Sequence, residues 1–255
     1  MAVLPARAAV AAEPLTDSGP EALPEAFPDA VQLSIIIPVL NEADCLDQCL
    51  TRLFENTWVA SNCEIIICDG GSRDESLAIA GGFPCRIVHS AAGRALQMNK
   101  GAEIARGNQL LFLHADSVLP TTLSQHFPAT ASWGYFRLCL DGSAAVYRII
   151  EFAINLRSRL SRVAGGDQGL FFAREFFFKL GSFPPIPLME DVAICKSARR
   201  LAKPVMITST IQSSSRRWQN NGVVKTILLM WSLRLAYWLG VDPARLHRIY
   251  YPQRG

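Results

Sequence analysis

LLFLHADSVLP, residues Leu110–Pro120, runs an apolar segment straight into an imidazole and a carboxylate one residue apart. In an extended chain, residues i and i+2 point the same way. His114 and Asp116 are therefore placed to meet one ligand at the end of a strand. A loop start facing water would use the same two residue types, and the segments around them have to decide.

The segments upstream show the same pattern. Ser34–Val39, within LSIIIPV, is a continuous apolar run of the kind a parallel strand buried on both faces requires. Asn41 and Glu42 follow it at once, and then Cys45, Leu46, Cys49, Leu50 and Leu53 fall at helical spacing. EIIICDGG predicts a second strand, with a short helix over 72–80 capped by Ser72. CRIVHS predicts a third strand, followed by a helix over 94–106, and QLLFLHAD a fourth strand. Strands alternating with helices predict an α/β protein with a mainly parallel central sheet flanked by helices, in which ligands bind at the carboxyl ends of the strands. Those ends carry Asn41 and Glu42, Asp69, Arg94 and the His114–Asp116 pair. Four polar ends at one edge predict a cleft for a polar ligand.

The second half is less regular. SWGYFRLCL alternates like a strand, residues 144–163 have helical periodicity, and GGDQGLFFAREFFFKLGSF reads as a turn, a buried strand and a helix ending at Gly181. PPIPLMEDV is a proline-rich loop entering a helix at about Met189. Residues 1–32, rich in Ala, Pro, Glu and Asp without the basic start and apolar core of a signal peptide, are expected to be a flexible tail, and residues 33–255 a single domain.

Composition narrows the function. Half of the 255 residues are hydrophobic, enough for a large core, and a net charge of +3 argues against nucleic acid as a partner. The seven cysteines form no CxxC pair, so they are expected to be core thiols in a reducing, cytoplasmic setting. Neither GxxxxGK[ST] nor GxGxxG is present. In CDGGSRDES, Gly70 and Gly71 allow close backbone approach while Asp69 stands at the strand end. Arg94 and Lys100 in GRALQMNKG are two cations suited to a diphosphate, or else a solvated helix face. A carboxylate such as Asp116, facing phosphate, is where Mn²⁺ or Mg²⁺ would bridge protein and diphosphate, with His114 beside it. Glu190 and Asp191 open a helix, where acids are favoured electrostatically, but they also offer a general base.

Taken together, SIIIPVLNEAD, CDGGSRDES, GRALQMNKGAEIARG, LLFLHADS, GGDQGLFFAREFFFKLGSFPPIPLMEDV and SSSRRW resemble family 2 glycosyltransferases of the GT-A (nucleotide-diphospho-sugar transferase, Rossmann-like) fold. More narrowly they resemble the radical-SAM/selenodomain-associated transferase 2 subgroup, from about Leu33 to Arg254. The resemblance implies a metal-dependent inverting hexosyltransferase. In it Pro38, Asn41 and Glu42 border the nucleotide, Asp69 contacts the base, and Arg94 and Lys100 lie near ribose or diphosphate. Asp116 corresponds to the last acid of the family's DxD, and His114 replaces the first. Gly166, Asp167 and Gln168, with Arg217 and Trp218, would shape the donor and acceptor side, and Asp191 would be the catalytic base beside Glu190. Processive synthases carry QxxRW, whereas here Gln212 is followed by Arg216, Arg217 and Trp218 at a longer spacing; transfer of a single sugar is the simpler expectation. Val223–Gly240, aromatic, leucine-rich and flanked by Arg and Lys, reads as a core helix or as a helix on a membrane surface. The second reading implies a lipid-linked, polyprenyl or carotenoid-type acceptor at the inner face of a membrane. A non-catalytic nucleotide-sugar-binding subunit and a nucleotidyltransferase are the alternatives. The latter wants a basic glycine-rich loop where this chain has PVLNEAD.

Overall fold

The computed structural model describes residues 31–251. Seven strands form one sheet: β1 (Leu33–Val39), β2 (Cys63–Asp69), β3 (Arg86–His89), β4 (Gln109–Phe112), β5 (Trp133–Leu140), β6 (Leu170–Ala173) and β7 (Val205–Ser213), in the order β3-β2-β1-β4-β6-β5-β7. The helices are α1 (Ala43–Glu55), α2 (Thr57–Asn62), α3 (Ser76–Ala80), α4 (Arg94–Ile104), α5 (Leu123–His126), α6 (Ala145–Ser161), α7 (Arg174–Lys179), α8 (Glu190–Leu201), α9 (Arg216–Asn221), α10 (Val223–Trp238) and α11 (Pro243–Tyr250). A 3-10 turn spans Gly166–Gln168.

The apolar run of β1 is buried on both faces because alternate side chains enter different cores. Ile35, Ile37 and Val39 join Leu46, Leu50 and Leu53 of α1. Ile36 packs on the other side with Ala95, Met98 and Ala102 of α4. The sheet is thus the middle of three layers. Strands β1–β4 are mutually parallel, β6 is antiparallel to both neighbours, and β5 and β7 are parallel to each other. Reversing direction twice, at β6, brings the carboxyl ends of β5 and β7 to the same edge as those of β1, β2 and β4. The start of β6, and the Gly165–Gly169 turn before it, lie there too, since Phe112 pairs with Leu170.

Two predicted boundaries move. The helix expected over 72–80 begins only at Ser76. Asp69 captures the amides of Gly71 (2.9 Å) and Ser72 (3.0 Å), which holds this stretch as a turn, and the Ser72 hydroxyl accepts from the Asn41 amide instead of capping. The fourth strand ends at Phe112 rather than Asp116: the Ser117 amide donates to the His114 carbonyl (3.1 Å), so His114–Asp116 is a turn. β7 was not foreseen at all. All seven cysteines are free, as expected, and buried or half-buried. The expected tail over 1–32 lies almost entirely outside the described residues.

Candidate active site

Because His114–Asp116 turns, the alternation rule no longer applies, and the two side chains line different cavities. The alternation argument therefore does not bring them into one cavity.

His114 faces a cavity walled by Arg94, Met98, Gly166, Phe183, Glu190 and Asp191. Its geometry is fixed from three sides. Beneath it, Phe112 stacks edge-on with Phe183 at 4.8 Å between ring centres. Asn99 of α4 clamps the proline-rich loop, donating to the Phe183 carbonyl (2.8 Å) and accepting from its amide (3.0 Å). That loop ends at Met189, a left-handed non-glycine residue (φ 71°), a strained conformation where α8 starts. Arg94 at the start of α4 then donates from Nε to Glu190 Oε1 at 2.5 Å. Burial opposes the Arg94 charge, but Glu190 and Asp191 outweigh it and hold the guanidinium above its usual range. Burial pushes the Glu190 carboxyl up, against the pull of Arg94. Its second oxygen, Oε2, is buried with no hydrogen-bond partner.

Asp191 is the more available acid. Oδ2 accepts from the Gly166 amide (2.8 Å) and Oδ1 from the Val192 amide (2.7 Å), while the side chain is only half-buried. Gly166 is needed for close approach, since a Cβ there would lie 2.9 Å from His114 Nε2. Gln168 is fully buried and structural: its Oε1 accepts from Ser158 (2.6 Å) and the Gly165 amide (3.1 Å). Asp167 is half-buried; burial raises its pKa, Arg157 opposes this and Asp191 adds to it. In α10, the Tyr237 phenol is pushed up by burial and by the charges of Asp191 and Glu190. Arg234 reaches the Gly165 backbone.

Asp116 lines a larger cleft of about 310 Å³, with Arg52, Asp141, Gln212 and Arg216 among its walls. Glu42 lies beside it: burial raises the Glu42 pKa, Asp116 adds to the rise, and Arg216 opposes it. The Cys45 thiol donates to Glu42 Oε2 (3.3 Å) and is pushed up to about 12 by burial and by Glu42, so it is an inert thiol rather than a nucleophile. No group of three or more His, Cys, Asp or Glu able to hold a metal occurs among the described residues. The Asp116 and Glu42 carboxylates are nevertheless of the kind a divalent cation takes when its remaining ligands come from a diphosphate and water.

The other expected nucleotide residues divide. Pro38 is half-buried at the end of β1. Asn41 (φ 56°) uses its side chain to accept from the Arg73 amide (2.8 Å), and Asp74 takes the Ala43 amide (3.0 Å), knitting the loops after β1 and β2 together. Asp69 is buried; burial opposes its charge, but Ser72, Gly71 and His89 together hold its carboxyl below the usual range. Lys100 stands six residues, or about 9 Å, into α4 and pairs with Glu103 (3.0 Å) on the exposed face. The solvated-face reading therefore describes it, and it is not at the edge with Arg94. Trp218 packs on the core, and the side chain of Arg217 lies outside the described residues. Arg216 lines the cleft. Arg216, Asp141, Arg157 and Tyr237 were missed; only the off-register Gln212-to-Arg216 spacing hinted at any of them.

The architecture is that of the GT-A glycosyltransferases. The mannosyltransferase PcManGT from Pyrobaculum calidifontis, solved with GDP-Man and Mn²⁺, superposes with a TM-score of 0.57 at 18% identity, covering 83% of this chain and 64% of that one. S. aureus TarS 1-349, solved with UDP-GlcNAc, gives 0.53 at 14% identity, covering 72% and 58%. Residues 34–129, from β1 through α5, match Glycosyl transferase family 2. Over 97 residues the chain is 40% identical to the uncharacterized glycosyltransferase YibD of Escherichia coli (strain K12), which covers 35% of this chain and 28% of that protein. It is 39% identical to a PGL/p-HBAD biosynthesis glycosyltransferase of Mycobacterium tuberculosis (strain ATCC 25177 / H37Ra), covering 35% and 37%. The chain thus spans about a third of the length of these curated relatives.

Proposed function

We propose that this protein is a family 2 glycosyltransferase that moves a single sugar from a nucleotide-diphosphate sugar to an acceptor hydroxyl with inversion. The observation that carries the reading is the half-buried Asp191 carboxylate. It is aimed by the Gly166 amide into a cavity at the carboxyl edge of the sheet, where a general base is needed. As the acceptor oxygen bonds to the anomeric carbon, the bond from that carbon to the diphosphate oxygen breaks. Asp191 takes the acceptor proton, and the nucleoside diphosphate leaves. Arg94 holds Glu190 in place and keeps the second acid of the pair from competing for that proton. His114, packed against Gly166, walls the sugar side. Asp116 with Glu42 would hold a divalent cation, which supplies charge neutralisation for the departing diphosphate, and Arg216 adds a fixed positive charge to the same cleft. Pro38, Asn41 and Asp69 border the nucleotide on this reading.

The motif set further assigns the chain to the radical-SAM/selenodomain-associated transferase 2 subgroup. The acceptor is a lipid-linked, polyprenyl or carotenoid-type alcohol met at the cytoplasmic face of a membrane through Val223–Gly240. No helix among the described residues is long and apolar enough to cross a bilayer. The test is product analysis with a panel of uridine and guanosine diphosphate sugars and polyprenyl acceptors. Release of a nucleoside diphosphate with a β-for-α change at the anomeric carbon is expected. Release of pyrophosphate from a nucleoside triphosphate would replace this reading with nucleotidyl transfer.

A further inference from the structure

Two helices expose apolar stripes that the fold does not use. On α6, Val146, Ile149, Phe152, Leu156 and Leu160 lie on one face, with Ile149 and Phe152 both 68% exposed. On α10, Val224, Leu228, Trp231, Leu235 and Trp238 recur at alternating spacings of four and three, with both tryptophans 71% exposed. The opposite faces are buried, at Tyr147 and Ser158 of α6 and at Thr226 and Leu233 of α10. Gly142, just before α6, lies near Ser215, just before α9, and Gly165, just after α6, lies near the Arg234 guanidinium of α10. Each helix is about 25 Å long.

Most of the charges around them are positive. Residues 192–241 contain eight Lys or Arg and no Asp or Glu. The one acid of α6, Glu151, is turned inward, accepting from the Leu140 amide and pairing with Arg148. Arg159, Lys225, Arg245 and Arg248 are exposed around the stripes.

We propose that α6 and α10 together form a docking face that lies in the interface of an anionic lipid bilayer, with their apolar stripes among the acyl chains and the surrounding cations on the headgroups. A second copy of the chain would bring like charges together across the same face, whereas an anionic bilayer complements them. The face continues towards the candidate active site, because Arg234 on the flank of α10 lies near Gly165, next to the Gly166 whose amide holds Asp191. An acceptor held in the bilayer thus reaches Asp191 without leaving its leaflet. This adds α6 to the contact and rests on the proposed function only for the acceptor's route; vesicle binding needs neither donor nor turnover, so the two readings fail separately.

The test is co-sedimentation of the full chain with vesicles of equal parts phosphatidylcholine and phosphatidylglycerol, and with phosphatidylcholine alone. Two double variants are compared, Trp231→Ser/Trp238→Ser and Ile149→Ser/Phe152→Ser, with unchanged melting as the control for folding. Binding to the anionic vesicles that falls at least about tenfold in each double variant is expected. Wild-type protein left in the supernatant with both vesicles, or an α6 variant that binds like wild type, would overturn the two-helix face. So would a wild-type dimer, seen by light scattering, that the same substitutions convert to monomer.

Discussion

The Asp191 Oδ2 atom accepts a hydrogen bond from the Gly166 backbone amide at 2.8 Å. This one bond ties the turn that precedes β6 to the first residues of α8, two segments 25 residues apart that meet only because β6 reverses the sheet. It fixes the carboxylate's direction without burying it.

Asp191→Asn keeps an oxygen for the Gly166 amide but cannot take a proton. Turnover should fall by about 10²–10⁴-fold while donor affinity, measured by calorimetry on the same preparation, changes little. An Asn variant with wild-type turnover would mean that another group is the base.

Gly166→Ala places a Cβ 2.9 Å from His114 Nε2, and 3.9 Å from Asp191 Oδ2. The imidazole must shift, and displacement of this order at a reacting centre costs roughly 10²-fold in rate. The melting temperature should stay close to wild type, because the clash is with the end of one side chain. Full activity would show that the His114 position is immaterial.

Asp167 gives a pH signature. Burial holds its folded pKa above the ordinary 3.8, so its contribution to stability is complete below that pH and is lost as pH rises through the folded value. Asn mimics the protonated acid and does not titrate. The stability of Asp167→Asn relative to wild type should therefore improve as pH rises above about 4 and level off once the folded group has ionised, as read by urea unfolding at each pH. A constant difference would contradict the raised pKa.

Away from the site, Glu64 is buried in β2, where it accepts from Ser34 (2.6 Å) and from the Arg106 amide (2.5 Å) and pairs with Arg86 (3.0 Å). Arg86→Ala leaves this carboxylate without its counter-charge and should cost about 3–5 kcal/mol in chemical denaturation. The Asp191 cavity lies at the other end of the strands, so the folded fraction should keep its specific activity.

How much of this was readable from the residues follows from the range of the interactions. β1, α1 and α4 were legible because apolar periodicity reports burial within a single segment. β7, VMITSTIQS, was not: it alternates weakly, and its place is set by pairing with β5 across 71 residues, from Gly134 to Val205. The Asp69 turn was misread as a helix start because a serine cap and an aspartate-centred turn use the same residue types. Arg94 was placed near the edge correctly, but its partner Glu190 is 96 positions away and left no trace in local sequence. The separation of His114 from Asp116 depends on a single turn after Phe112, which an alternation rule cannot register. Glu64 carries no signal of its own in EIIICDGG, and only the fold shows the cluster that satisfies it.

The central claim is that the carboxyl edge binds a nucleotide-diphosphate sugar with the help of Asp116. It is tested most directly by calorimetry with a panel of uridine and guanosine diphosphate sugars, with and without Mn²⁺, on wild type and Asp116→Ala. The account predicts saturable binding of one donor that strengthens with Mn²⁺ and loses that dependence in Asp116→Ala. The absence of binding to every donor, with or without the cation, would contradict it.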